Sequence, residues 1–126
     1  MTMKTDIKKL PESEFEIMMA VWGNSGPVTS DVLLERLNKT WKKTTLLNFL
    51  TRLCDRGFLN CEKQGKINVY TPLVAREDYI QWESAGFLKK VHSGSLTGLV
   101  ASLYDGAAIT EADLEELEKF IREARE

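Results

Sequence analysis

The sequence predicts a mainly α-helical protein with one small β-hairpin, and three observations carry that prediction. Apolar residues recur at helical spacing from Phe15 to Leu53. The period shortens to two on the far side of a Gln64-Gly65 turn. A helical rhythm then returns from Arg76 to the end of the chain. The 126 residues suffice for one core domain and a short appendage. A hydrophobic fraction of 43% argues against disorder as the default.

Pro11 opens the first helix, because proline is favoured at a first helical position. Phe15, Met18, Val21 and Trp22 share one face, and Asn24-Ser25-Gly26-Pro27 stops the helix. Thr29 or Ser30 caps a short second helix, with Asp31 placed for the helix dipole. Val32, Leu33 and Leu37 face the core there, and the helix ends near Asn38. The third helix begins after Thr40-Trp41-Lys42. Leu46, Leu50, Leu53 and Cys54 form its apolar face, with Phe49 at the edge. At about 100° per residue the opposite face carries Thr44, Asn48, Thr51 and Asp55, flanked by Thr45, Leu47 and Arg52. Gly57 suits the C-terminus of that helix. Around the Gln64-Gly65 turn, Ile67, Val69 and Thr71 alternate with Lys66, Asn68 and Tyr70, which reads as a hairpin ended by Pro72.

From Arg76 a helix carries Tyr79, Trp82, Phe87, Leu88 and Val91 until Ser93-Gly94-Ser95 breaks it. Leu96, Leu99, Val100 and Leu103 mark a short amphipathic helix that Asp105-Gly106 ends. Thr110-Glu111-Ala112-Asp113 resembles a capping box, with Asp in the place of Glu or Gln. The helix it opens carries Leu114, Leu117, Phe120 and Ile121 among acids. The expected organisation is two parts, residues 1–73 and 74–126.

The net charge of −2 hides an asymmetry. Residues 1–73 hold 11 basic and 8 acidic side chains, and residues 74–126 hold 6 and 11. Between Lys39 and Lys66 seven bases (Lys39, Lys42, Lys43, Arg52, Arg56, Lys63, Lys66) stand against Asp55 and Glu62. That points to a basic binding surface on the first part and a solvated acidic second part. Cys54 and Cys61 match no metal or redox spacing, and His92 is the lone histidine, so neither a metal nor another cofactor is expected. Cys54 reads as a small core residue and Cys61 as a strand residue. The absence of a Gly-rich phosphate loop leaves no enzyme signature. No apolar run is long enough to cross a membrane, and the charged residues 1–9 do not lead into a signal sequence. A cytoplasmic protein without membrane insertion is expected.

Three helices followed by a two-stranded hairpin is the order of a winged helix-turn-helix. Two helices brace a third, whose polar face enters a major groove about 12 Å wide, and the hairpin lies against the phosphates. Thr and Asn are poor helix formers on a merely solvated face, so their presence calls for another reason, and base reading supplies one. The expected DNA-binding residues are Lys42, Lys43, Thr44, Thr45, Asn48, Thr51 and Arg52 on the helix, with Lys63 and Lys66 on the hairpin. Two rival readings stay open: a winged helix that binds only proteins, and a ligand-sensing regulator of another family. Three short helices after Pro72 cannot hide their large apolar groups among themselves. A helical dimerisation segment is therefore expected, built on Tyr79, Trp82, Phe87, Leu88, Leu96, Leu99, Val100, Leu103, Leu117 and Phe120.

The stretch from Leu10 to Met18 resembles the opening of the penicillinase-repressor family. Lys43-Thr44-Thr45-Leu46-Leu47-Asn48-Phe49-Leu50-Thr51-Arg52-Leu53, then Arg56-Gly57-Phe58-Leu59, is similar to its third helix and the following strand. Leu99-Val100-Ala101-Ser102-Leu103-Tyr104 and Leu114-Glu115-Glu116-Leu117 match further on, so the resemblance runs from about Leu10 to Ile121. The resemblance implies a homodimeric repressor on a palindromic operator, dimerised through its C-terminal helices. In the branch that answers β-lactams it also implies a membrane sensor protease and cleavage in the dimerisation segment. The cleaved Asn-Phe bond corresponds here to Ser102-Leu103. Lys42 and Lys43 stand where the family often has Ser-Pro, and Thr44 and Leu47 fill outer positions that often carry Lys or Arg. The Cys-x-Cys motifs of the copper-responsive branch are missing.

Overall fold

The computed structural model describes residues 7–37 and 41–126. The expected helix end at Asn38, the base Lys39 and Thr40 lie outside the described residues, as do Met1 to Asp6. The elements are α1 (Glu12–Trp22), β1 (Val28–Thr29), α2 (Ser30–Leu37), α3 (Lys43–Asp55), β2 (Leu59–Gln64), β3 (Ile67–Pro72), α4 (Arg76–His92), α5 (Leu96–Asp105) and α6 (Glu111–Ala124). The chain forms two compact units that divide between Glu83 and Ser84, inside α4. That division falls beyond the 73/74 boundary expected from the sequence, because Val74 and Tyr79 belong to the core of the first unit.

In the first unit, Ile17, Met18 and Val21 of α1 pack with Leu33 of α2 and Leu46, Leu50 and Leu53 of α3. Pro11 stands just before α1 rather than inside it. The Thr29 hydroxyl accepts from the Val32 N–H at 3.3 Å, which caps α2. The end of α3 is a Schellman motif: Phe58 N–H bonds Leu53 O at 2.9 Å and Gly57 N–H bonds Cys54 O at 3.1 Å. Gly57 supplies the left-handed residue this motif needs, at φ 84°. Phe58 and Leu59, both buried, then lead the chain from α3 into the sheet.

The sheet has three antiparallel strands in the order β1-β3-β2. The two-residue strand β1 was not expected; it pairs Val28 with Tyr70 and Thr29 with Val69. Of the two alternating sets on β3, the one with Tyr70 supplies the buried residue. Tyr70 is 4% exposed and Ile67 57%, because Tyr70 stands across from Val28 and closes the sheet onto the core. The hairpin turn is Gly65-Lys66, one residue beyond the expected Gln64-Gly65, with Gln64 paired to Ile67. Gly65 has φ 69°, as the first central residue of a type II′ turn requires.

Tyr79 closes the first unit. It is fully buried, and its ring lies 5.8–5.9 Å from those of Phe15, Trp22, Phe58 and Trp82. Its hydroxyl accepts the Leu10 N–H at 2.9 Å. The same hydroxyl donates to Glu83, which lowers the pKa of that carboxyl, with help from Lys9 at 3.1 Å. Tyr79 was expected on a dimerisation surface. It is a core residue of the first unit, since the phenol is the one side chain here that fills the apolar centre and still satisfies a buried N–H.

The second unit is different in kind. No side chain of α5 or α6 is buried. Phe87, Val91, Leu96, Tyr104, Phe120 and Ile121 are all more than 40% exposed. The capping box at Thr110 and Asp113 is present in both directions. Helix α5 ends with Ala107, not Gly106, in the left-handed region, at φ 61°.

Candidate nucleic-acid interface

Helix α3 buries Leu46, Leu50 and Leu53 completely and turns a polar stripe outward. Thr44, Asn48, Thr51 and Arg52 are exposed, and Thr45 is half-buried beside them. Lys42 is the extended residue before the helix, and Lys42 and Lys43 are both exposed at its start. Lys63 and Lys66 are exposed on the hairpin, Lys63 near the end of β2 and Lys66 in the turn itself. The start of α3 and the hairpin meet at one cleft, which Lys43 and Lys66 share with Asp31.

Several of these groups already have partners. Lys43 Nζ lies 3.0 Å from the Asp31 carboxylate, an exposed pair that water screens and that a phosphate can displace. The Thr51 hydroxyl donates to Leu47 O at 3.0 Å, so its proton is held within the helix. The Arg52 guanidinium rests 5.7 Å from the Phe49 ring centre, and Phe49 in turn packs on Trp41 at 5.4 Å. Asn48 is exposed, and its amide is the group that pairs bidentately with adenine.

Arg56, one of the seven bases between Lys39 and Lys66, pairs with the core instead. Its guanidinium donates to Glu14, a carboxylate only 1% exposed on α1. Sequence reasoning missed Glu14 because its partner lies at the far end of another helix. Cys54 is half-buried against the core and Cys61 is exposed on β2. Burial pushes the Cys54 thiol up, with Cys61 and Asp55 adding to the effect, so it is held protonated. Among the described residues no group of three or more His, Cys, Asp or Glu is placed to hold a metal ion.

The expected dimerisation residues other than Tyr79 are spread over both units. Trp82 is 37% exposed in the first. In the second, Phe87, Leu96 and Phe120 are exposed, and Leu88, Leu99, Val100 and Leu117 are half-buried. Ser102 and Leu103 are exposed within α5. An open apolar groove runs between α5 and α6, lined by Leu96, Val100, Tyr104, Leu114, Leu117 and Ile121 among others. No helix of the described residues is long and apolar enough to cross a membrane.

A braced helix with an exposed Thr/Asn stripe, flanked by a lysine-bearing hairpin, defines the first unit as a winged helix-turn-helix of the regulator type. The profile of the penicillinase repressor family matches residues 10–123, and the chain belongs to that family of transcriptional repressors. It is 33% identical over 122 residues to the penicillinase repressor of Bacillus licheniformis, covering 93% of this chain and 94% of that one. It is 26% identical over 114 residues to the methicillin resistance regulatory protein MecI of Staphylococcus aureus, covering 90% and 93%. The solution structure of the DNA-binding domain of the repressor BlaI superposes with a TM-score of 0.50 at 32% identity, covering 58% of this chain and 94% of that domain.

Proposed function

We propose that this protein is a cytoplasmic, homodimeric repressor that holds a palindromic DNA operator through two winged helices. The observation that carries the reading is the exposed stripe of Thr44, Asn48 and Thr51, set between Lys42-Lys43 and the hairpin lysines Lys63 and Lys66. Thr44, Thr45, Asn48 and Thr51 face base edges in this reading, and Lys42, Lys43, Arg52, Lys63 and Lys66 hold phosphates. The 32% identity to a domain described as DNA-binding supports it.

One winged helix buries only roughly 600–1,000 Å² on DNA, so tight and specific binding calls for two. The apolar surface of the second unit supports a twofold partner there, since Leu96, Phe120 and Ile121 have no core of their own. In this reading the dimer is built on the apolar residues of 84–126 and on Trp82. Release by a membrane sensor protease at Ser102-Leu103 belongs to the same proposal. Both residues are exposed, and α5 must unwind locally to enter a protease cleft.

The test is selection of the purified full chain against a pool of random duplexes. The reading predicts enrichment of a palindrome with half-sites about one helical turn apart, or a multiple of it. Retention of DNA with no enriched sequence contradicts base reading. No retention at all favours a protein-interaction module.

A further inference from the structure

The cleft between the start of α3 and the hairpin contains an apolar spot on an otherwise polar, basic face. Leu47 of α3 and Ile67 of β3 both line it, with Lys66 and the Lys43–Asp31 ion pair at its margin. Ile67 is 57% exposed, and Leu47 is half-buried, packed in part against the core and flanked in helical position by Thr44, Asn48 and Thr51. Lone exposed apolar residues are common and call for no explanation. Two that line one cleft, beside Lys43, Lys66 and Asp31 and next to the proposed base-reading stripe, are a different matter. Lys66, together with Lys43 once a phosphate displaces Asp31 from it, suits a polyanion and disfavours an apolar protein surface. In the major groove the apolar group that a base pair offers is the C5-methyl of thymine.

We infer that Leu47, backed by Ile67, seats a thymine methyl group in each operator half-site. This rests on the proposed operator reading and adds a specificity-determining contact to it. Lys43 and Lys66 hold the phosphates on either side, and Asn48, the next residue on α3, reads the neighbouring base. The contact distinguishes A·T from the other pairs by apolar fit alone, so it needs no hydrogen bond from Leu47.

The experiment takes the duplex selected above and replaces each thymine in turn by deoxyuridine, which removes only the methyl group. Wild-type protein should lose about fourfold in affinity per half-site at one thymine, the value expected for one buried methyl. Leu47→Ala should bind the thymine and deoxyuridine duplexes equally at that position. Leu47→Met, which keeps an apolar side chain on the core-packed residue, should retain the preference. Melting temperature and affinity for random duplex, measured for both variants, separate a lost contact from a lost fold. Equal binding of both duplexes by wild type at every thymine overturns the inference, as does a full preference in Leu47→Ala. If no sequence is selected at all, the operator reading itself fails and this contact falls with it.

Discussion

The Glu14 carboxylate of α1, almost without contact with water, accepts a hydrogen bond from the Arg56 guanidinium at the end of α3. This pair ties the first helix of the unit to the helix that presents the polar stripe. Removing one partner of a buried ion pair leaves the other without compensation, which is costly.

Arg56→Gln should therefore destabilise the protein by about 2–3 kcal/mol, below the full figure for a buried pair because the guanidinium is 40% exposed. Urea denaturation at fixed protein concentration measures this. The same substitution should leave the salt dependence of DNA binding unchanged. Lys66→Ala should do the reverse, lowering the slope of log affinity against log salt by about one per subunit with little loss of stability. A reduced slope in Arg56→Gln would place this arginine on the phosphates after all.

Tyr79→Phe removes the acceptor of a buried N–H from Leu10 and should cost about 1–3 kcal/mol. Burial pushes the Tyr79 hydroxyl from 10.0 up to about 12. Folding thus favours the neutral phenol. Its contribution is intact below pH 10 and is lost as pH rises toward 12. Denaturation between pH 9 and 12 should show a steeper fall for wild type than for Tyr79→Phe. The slope that remains in the variant belongs in part to Tyr70, also raised by burial. Parallel curves for the two proteins would show that Tyr79 does not titrate on unfolding.

Ala107 sits at φ 61°, where an L-residue with a Cβ is strained and glycine is not. It holds the position that a Schellman end requires, as the bond from Ala108 N–H to Leu103 O at 2.8 Å shows. Ala107→Gly should stabilise the second unit by about 1 kcal/mol. Thermal melts read the gain directly, and a lower melting temperature would contradict this account of the end of α5.

The dimer makes a sharper demand. Leu99→Asp with Leu103→Asp should give a monomer by sedimentation and abolish operator binding, while the first unit keeps its near-ultraviolet signal from Trp22 and Trp41. Wild-type protein that sediments as a monomer at micromolar concentration, with full operator affinity, would remove the second unit from the mechanism.

Much of this architecture is legible in the sequence where a signal is local. The apolar face of α3, the Thr110–Asp113 box and the glycine turn all follow from neighbours within four residues. What escapes is set by partners far along the chain. Strand β1 is two residues long and exists only because β3 lies beside it. Alternation along β3 does not say which set faces the core, and the buried residue, Tyr70, shares its parity with the polar Lys66 and Asn68. Arg56 counts toward the basic segment until Glu14 is placed opposite, and Tyr79 looks like a surface anchor until Leu10 offers its N–H. The basic stripe could be listed from the sequence, but the cleft that joins Leu47 to Ile67 needed the hairpin in place.

The central claim is that the exposed face of α3 reads bases, and Asn48 tests it most directly. Its amide is exposed in the middle of the stripe, with Leu46 and Leu50 holding the helix from the opposite side. The measurement is the affinity of wild type and Asn48→Ala for the selected operator and for a random duplex, at one salt concentration. The account predicts a loss of about 1–3 kcal/mol per half-site on the operator and almost none on random DNA. Equal losses on the two duplexes, or no loss on the operator, would contradict it.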